Sequence, residues 1–494
     1  MLDVLIVGAG ISGISAACHL EQRCKDKTYA VLEGRDNVGG TWDLFRYPGI
    51  RSDSDMHTFG FNFKPWTNAK SISDGESIRA YLKEAVAEYG VTDKIRFGHK
   101  VESASWDSRR NVWTVKARSK AGDTVEIQTR VLFMCSGYYN YEGGYTPDYP
   151  GLSDFKGRFV HPQKWPEDLD YKGKKVAVIG SGATAVTLVP NMVDDAAHVT
   201  MIQRSPTYMF SRPAKDGIAN FLNAILPSKW AYALTRWKNI YMQSATYKGA
   251  REKPEKVKKL LLDNVRKSLG TDYDIDTHFT PRYNPWEERL CLIPDNDFLD
   301  AVGSGQAEIV TDTIDRIVEN GILMASGRLI EADVIVSATG LSLQFMGGVD
   351  FFIDDVKLDL SKHFYYQGMM FSDVPNLIQT FGYINASWTL RADLNSAFVC
   401  DMLKEMDKRG ATACIPELRP EEKSMQPRET ISGFNPGYMQ RGIHQFPKQG
   451  DHAPWQNTQD YALDRKIFAD NLFADGVLKF HSEVDAEGSQ SSAA

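Results

Sequence analysis

Two glycine-rich turns, each followed by a charged side chain at the end of the next apolar run, are the residues of this chain whose types and spacing can do chemistry. In the first, Gly8-Ala9-Gly10-Ile11-Ser12-Gly13 follows Leu5-Ile6-Val7, and Glu33 stands twenty residues after Gly13. In the second, Gly180-Ser181-Gly182-Ala183-Thr184-Ala185-Val186 follows Lys175-Val176-Ala177-Val178-Ile179, and Arg204-Ser205 follows Val199-Thr200-Met201-Ile202-Gln203. The first glycine of such a turn permits the sharp bend, and the second lets backbone approach a pyrophosphate. The third position, Gly13 or Ala185, lets the next helix sit close to the strand. Helix N-terminal amides then meet the phosphates. A carboxylate such as Glu33 accepts hydrogen bonds from a ribose 2'-OH, whereas the Arg204 guanidinium can hold a 2'-phosphate bidentately, which points to NADPH. A lone glycine fingerprint is weak evidence; strand, turn, helix, strand and acid in one unit is strong evidence for an adenine dinucleotide at the first turn. The bland reading of Arg204 is a solvated surface charge.

These residues need elements to hold them. Leu5-Ile6-Val7 and Lys175–Ile179 are short continuous apolar runs, as expected of parallel strands buried on both faces. A helix over 11–22 and a strand over 29–32 complete the first unit. Val131-Leu132-Phe133-Met134-Cys135-Ser136-Gly137 reads as a further buried strand, closing this first piece at about residue 145. The fold class expected is α/β, with two Rossmann-like dinucleotide-binding domains and a helical insertion. That insertion is the stretch from Lys215 to Lys267, with apolar residues at three- and four-residue spacing and breaks at Pro227 and Pro254. It carries twelve Lys or Arg against four Asp or Glu. A basic amphipathic segment can meet a membrane surface, although solvated helices are the commoner case. Ala332–Gly340 reads as a second crossing between domains, and the segment from Gly382 to Asp393 opens a helix that returns to the first domain. The tail from Glu483 on reads as disordered.

Composition excludes several classes. At 494 residues the chain has room for about three domains. A net charge of -7 argues against a nucleic-acid binder. The six cysteines include no C-x-x-C pair, so neither a metal site nor a redox dithiol is expected, and the pattern fits a reducing cytosol. No signal peptide is expected at the N-terminus, and no run approaches the ~18 apolar residues that span a bilayer.

Two further segments stand out. Gly39-Gly40-Thr41-Trp42-Asp43-Leu44 and Tyr47-Pro48-Gly49-Ile50-Arg51-Ser52-Asp53-Ser54-Asp55 are rich in turn formers and charge with little periodicity, the kind of loop that carries function, or a plain surface loop with a Pro-Gly turn. Between the two nucleotide units, Phe155-x-Gly157-x-x-x-His161-x-x-x-Trp165-Pro166 is a hinge candidate, or a linker whose aromatics pack on core. This last spacing resembles the signature of the Baeyer–Villiger monooxygenases, whose N- and S-oxidising relatives carry Tyr or Phe where this chain has Trp165. G-G-T-W and Y-P-G-x-x-x-D are similar to the segments with which flavin monooxygenases wrap FAD. The likeness continues through 138–140, 165–170, 180–190, 283–291 and 385–390, and looks particularly like the ethionamide-activating branch of mycobacteria and its bacterial relatives.

The resemblance implies an FAD-binding domain from 1–145 and 342–494 and an NADPH-binding domain from 146–213 and 281–341, with 214–280 as its insertion. It implies FAD held by Gly8, Gly10, Ser12, Gly13, Glu33, Gly40, Thr41, Trp42, Asp43, Leu44, Asp53 and the backbone at Val101. It implies NADP held by Arg51, Ser52 and Asp53 together with Gly180 to Val186, Arg204 and Ser205. In the family, NADPH reduces FAD, O2 adds at flavin C4a, and the peroxide attacks a ketone to give an ester or lactone. Arg289 matches the family arginine beside that peroxide, held by a carboxylate such as Asp53; its bland reading is an ion pair with Glu287 or Glu288. Phe61, Phe63, Trp66 and Trp388 are candidates to keep water out, or core aromatics. Thioether or thioamide sulfur is expected as a second substrate class, in a bacterial cytoplasmic enzyme with no metal. Three other readings are open: an N- or S-oxidising flavin monooxygenase, a disulfide reductase, which the cysteine spacing denies, and a non-catalytic FAD/NADPH redox sensor.

Overall fold

The computed structural model describes residues 1–288, 290–431, 433–434 and 436–483. Arg289 and the tail beyond residue 483 therefore lie outside the described residues. The expected fold class is the one observed, with one sheet for each nucleotide unit.

The first sheet has nine strands and is organised on Thr124–Met134. The first half of this strand pairs antiparallel with Val112–Ser119, which pairs in turn with His99–Asp107. Its second half changes partners. Leu132 to Met134 run parallel to Leu2–Val7 on one side and to Leu377–Gln379 on the other. Burial follows the change. The exposed, alternating start gives way to the fully buried Val131 to Met134, as a parallel strand covered on both faces requires. Leu2–Val7 continues the parallel part to Tyr29–Leu32 and Ile95–Arg96. Helix Ile11–Arg23 packs on the long helix Trp388–Arg409, the expected return to this domain, and Ser15 Oγ donates to Asp393 Oδ1 at 2.9 Å across the contact.

The second sheet is all parallel, in the order Ala307–Thr311, His198–Gln203, Lys175–Ile179, Val334–Ser337, Arg158–Val160. Both segments expected to cross between the domains thus contribute strands to it.

Residues 217–269 form three helices, Gly217–Ile225, Ser228–Glu252 and Pro254–Leu269. Pro227 ends the first, and Pro254 begins the third, where its missing N–H costs nothing. The insertion bridges both units. Pro254–Leu269 packs beside Asp297–Gly303 of the second. From Ser228–Glu252 the buried Arg236 reaches the first, where Nη1 donates to the carbonyls of His57, Thr58 and Gly60 at 2.8–3.0 Å and Nη2 lies 3.5 Å from Asp393. A buried guanidinium persists only with such partners.

Candidate functional site

The C-terminal ends of the parallel strands in the first sheet open onto a cavity of about 720 Å³, the place where open α/β sheets bind ligands. Of the residues expected to hold FAD, Gly8, Gly10, Ser12, Glu33, Gly40, Thr41, Trp42, Leu44 and Val101 line it. Gly8 is left-handed (φ +104°), and a Cβ there would stand 2.6 Å from the Cys135 carbonyl oxygen. Gly10 and Gly40 face each other, so that a Cβ on Gly40 would come within 3.0 Å of Gly10 Cα. Backbone is bared on both walls. Gly13 does not line the cavity: its Cβ would lie 1.8 Å from the Gly8 carbonyl oxygen, so it keeps helix and turn together.

The buried Glu33 carboxylate accepts from the Ala9 amide at 2.7 Å and the Arg35 amide at 2.9 Å. Burial pushes its carboxyl up, against the opposing pull of these amides and of Arg35. The turn and the acid are thus tied together before any ligand binds, and the carboxylate keeps lone pairs for a hydroxyl. Asp43 does not line the cavity; its buried carboxylate takes Arg35 at 2.9 Å and Arg46 at 2.8 Å. Asp53 is exposed on its loop, also outside the lining.

The second unit repeats the turn. Gly180 is left-handed (φ +132°), and its Cβ would stand 2.3 Å from the Ala338 carbonyl oxygen. A Cβ at Gly182 would meet nothing within 4 Å, and Ala185 is fully buried. Ser181 Oγ donates to the Ser205 carbonyl at 3.0 Å, bringing the turn to the residue beside Arg204. Arg204 and Ser205 are exposed. Burial raises the Glu288 carboxyl while nearby Arg204 draws it back down.

The 47–53 loop closes against this second unit. Tyr47 is buried in the second unit's core cluster, and Arg51 Nη1 donates to Asp297 Oδ2 at 2.5 Å. Burial nevertheless raises the Asp297 carboxyl. The other terminal nitrogen of Arg51 is buried with no partner among the described residues. Ser52 is buried, its hydroxyl held by the carbonyl and amide of Ser54 at 2.8 and 3.1 Å.

Residues 2–264, more than half of the chain, match the family model described as flavin-binding monooxygenase-like. The chain belongs to the flavin-binding monooxygenase-like family. Among relatives of the family, the FAD-containing monooxygenase EthA of Mycobacterium tuberculosis is 49% identical over 480 residues, 97% of each chain. The probable FAD-binding monooxygenase AlmA of Acinetobacter baylyi is 47% identical over 485 residues, covering 98% of this chain and 97% of its own. An oxidised steroid monooxygenase bound to NADP superposes with a TM-score of 0.78 at 22% identity, over 97% of this chain and 99% of that one, a likeness of fold.

In this flavin-binding monooxygenase-like chain the linker does more than connect. His161 Nδ1 accepts the Gln163 amide at 3.2 Å, which leaves Nε2 to donate to the Gly340 carbonyl at 3.1 Å. The Tyr145 amide donates to the same carbonyl at 3.0 Å, so both crossings between the sheets meet at this histidine. Burial holds the His161 pKa below its ordinary value. A Cβ at Gly157 would strike the Asp333 carbonyl at 2.2 Å and the Phe155 ring at 2.5 Å, which accounts for Phe-x-Gly. Trp165, expected only as signature, lines the cavity with Gln163 and Lys164. Residues from the second unit's side of the chain thus wall the first unit's cavity.

Reasoning from sequence missed Arg35, Tyr141 and Gln344 in the lining. Ser136, at the end of the 131–137 run read as a buried strand, lines the cavity where ligands bind in such sheets. Of the aromatics expected to exclude water, Trp388 lines the cavity, stacked on Tyr138 and donating from Nε1 to Ser12 Oγ at 2.7 Å. Phe61, Phe63 and Trp66 belong to the core, with Phe61 stacked on Phe63.

Proposed function

We propose that this chain is an FAD-containing, NADPH- and O2-dependent Baeyer–Villiger monooxygenase that converts ketones to esters or lactones and also oxidises thioether or thioamide sulfur. The observation that carries the reading is the joining of an acid-ended nucleotide cavity to an arginine-ended nucleotide turn by a linker whose Trp165 walls the cavity. The family match and the two relatives support it.

The cavity fits FAD. Its walls include two buried polar atoms with no partner among the described residues, Ser136 Oγ and Gln163 Oε1, and such atoms are costly unless a ligand or water meets them. Gly8 to Ser12 would take the pyrophosphate, Glu33 the ribose, and Gly40 to Leu44 with Val101 the rest of the wall. Gly13 and Asp43 act from behind, by fixing the turn and Arg35. The second turn with Arg204 and Ser205 would hold NADPH, and Arg51 and Ser52 would meet it from the facing loop. Bound together, the two cofactors supply reducing electrons and activate O2. Trp42, Phe59, Trp165 and Trp388 exclude water from the lined space. Arg289, with Asp53 as its carboxylate partner, supplies a fixed cation that stabilises the oxyanion growing on the attacked carbonyl. An arginine stays charged at every working pH, which a lysine in an apolar site does not. The domain partition stated above, with its insertion at 214–280, is proposed with this reading.

Purified protein incubated with NADPH, 18O2 and a panel of linear, cyclic and aryl ketones plus a thioether tests the reading by mass spectrometry. Labelled ester or lactone is expected. Oxidation of amines or sulfur alone points to the N- or S-oxidising reading, and NADPH consumption without any oxygenated product points to a redox sensor.

A further inference from the structure

Helix Ser228–Glu252 buries Ala231 and Tyr232 together with three polar side chains and leaves most of its large apolar side chains outside. Thr235, Arg236 and Asn239 point inward, with Asn239 Nδ2 donating to Asp55 Oδ1 at 2.8 Å and Arg236 bound to loop carbonyls. Outward stand Trp230, Leu234, Trp237 and Tyr241, spaced by 4, 3 and 4 residues on one stripe. Trp230 is 68% exposed and Trp237 and Tyr241 are each 66% exposed, the last two stacked 6.2 Å apart. Helix Gly217–Ile225, packed beside it, turns Ile218, Phe221 and Ile225 outward in the same way. Among the described residues, nine of the fourteen exposed large hydrophobic side chains fall within 214–280. Soluble proteins scatter such residues singly; a cluster marks a surface that something covers.

We infer that this face of the insertion docks the protein onto an anionic lipid surface. Trp and Tyr suit the boundary where one end of a ring is apolar and the other wet. Charge decides between occupants. In a chain whose net charge is -7, nine of the twelve basic residues of 215–267 are exposed against three of its four acidic ones, and exposed Lys229 and Lys248, the latter 4.0 Å from Asp460, bracket the aromatic stripe. A second copy meeting this face about a two-fold axis would press positive on positive. An anionic headgroup layer takes both the rings and the lysines. Among the described residues no helix is long and apolar enough to cross a membrane, so the helices lie on the surface.

Co-sedimentation of the full chain with phosphatidylcholine vesicles, with and without phosphatidylglycerol, tests this. Binding is expected to the phosphatidylglycerol vesicles and to weaken with salt. Lys229→Gln with Lys248→Gln should reduce it by roughly fivefold per lysine, and Trp230→Ser with Trp237→Ser by at least about tenfold. Both double variants should keep the wild-type melting temperature and flavin content. The inference is overturned by absence of binding to either vesicle, by binding that the Trp pair does not change, or by a dimer in sedimentation equilibrium that the Trp pair dissolves.

Discussion

In the first nucleotide unit the glycine turn and its charged residue lie inside the molecule, while in the second they face solvent. Glu33 is buried and already holds two backbone amides; Arg204 and Ser205 stand exposed beside an open Gly182. The turns themselves are built alike, each with a left-handed first glycine pressed on the carbonyl of a neighbouring strand end, Cys135 or Ala338. The turn therefore does not distinguish them, and the depth of the surroundings does. A nucleotide held in the first unit would be walled by residues from both halves of the chain. One in the second would face solvent at Gly182, Arg204 and Ser205. The third turn position differs only in room, since Gly13 has no space for a Cβ and the second unit carries the buried Ala185.

The largest effects should come from filling the first turn. Gly10→Val is expected to yield apo-protein or an unfolded chain, because its side chain takes the space where backbone meets pyrophosphate. Gly13→Ala should act similarly, its Cβ forced against the Gly8 carbonyl. Flavin-to-protein absorbance ratio and thermal unfolding check both, and yellow, FAD-saturated Gly10→Val protein would show that this turn is not the flavin site. Next, Arg289→Ala should leave anaerobic bleaching of FAD by NADPH intact while ester yield drops about 100- to 1,000-fold, with hydrogen peroxide released instead. Failed flavin reduction in that variant would move Arg289 to placing the nicotinamide.

Smaller effects sharpen the comparison. Ala185→Gly, the reverse of the first-unit change, should cost only about 1 kcal/mol of stability and leave FAD bound; loss of FAD would mean that the two units are not separable. The smallest effect expected is on pH dependence. Burial depresses the folded pKa of His161 below 6.5, so the unfolded chain takes up its proton first. The stability owed to the neutral ring is full above about pH 6.5 and is lost as pH falls toward the folded value. In His161→Gln, melting temperature measured against pH should fall less steeply in that window, and an unchanged slope would remove His161 as the cause.

Both nucleotide units were legible in sequence because periodicity, glycine spacing and charge all occur within about 30 adjacent residues. The cavity's far walls were not. Tyr141, Gln344 and Trp165 reach it from three separate segments and have no shared period. Asp43 was read by position in its motif, yet its carboxylate is spent on Arg35 and Arg46, a partner choice that only packing reveals. Helix Ser228–Glu252 shows the same limit. Its apolar stripe would ordinarily place Trp237 inward, but Arg236 finds three carbonyls on the first unit and turns the helix over.

The contrast between the two units is tested most directly by anaerobic stopped-flow reduction of the bound flavin with NADPH and with NADH, in the wild type and in Arg204→Ala. Charge-assisted bonds to a 2'-phosphate contribute about 1.5 to 3 kcal/mol each. The half-saturating NADPH concentration should therefore rise about ten- to a hundredfold in the variant, while that for NADH barely changes and the flavin stays bound. Equal losses for both nucleotides, or loss of FAD itself, would contradict the assignment of the second unit to NADPH.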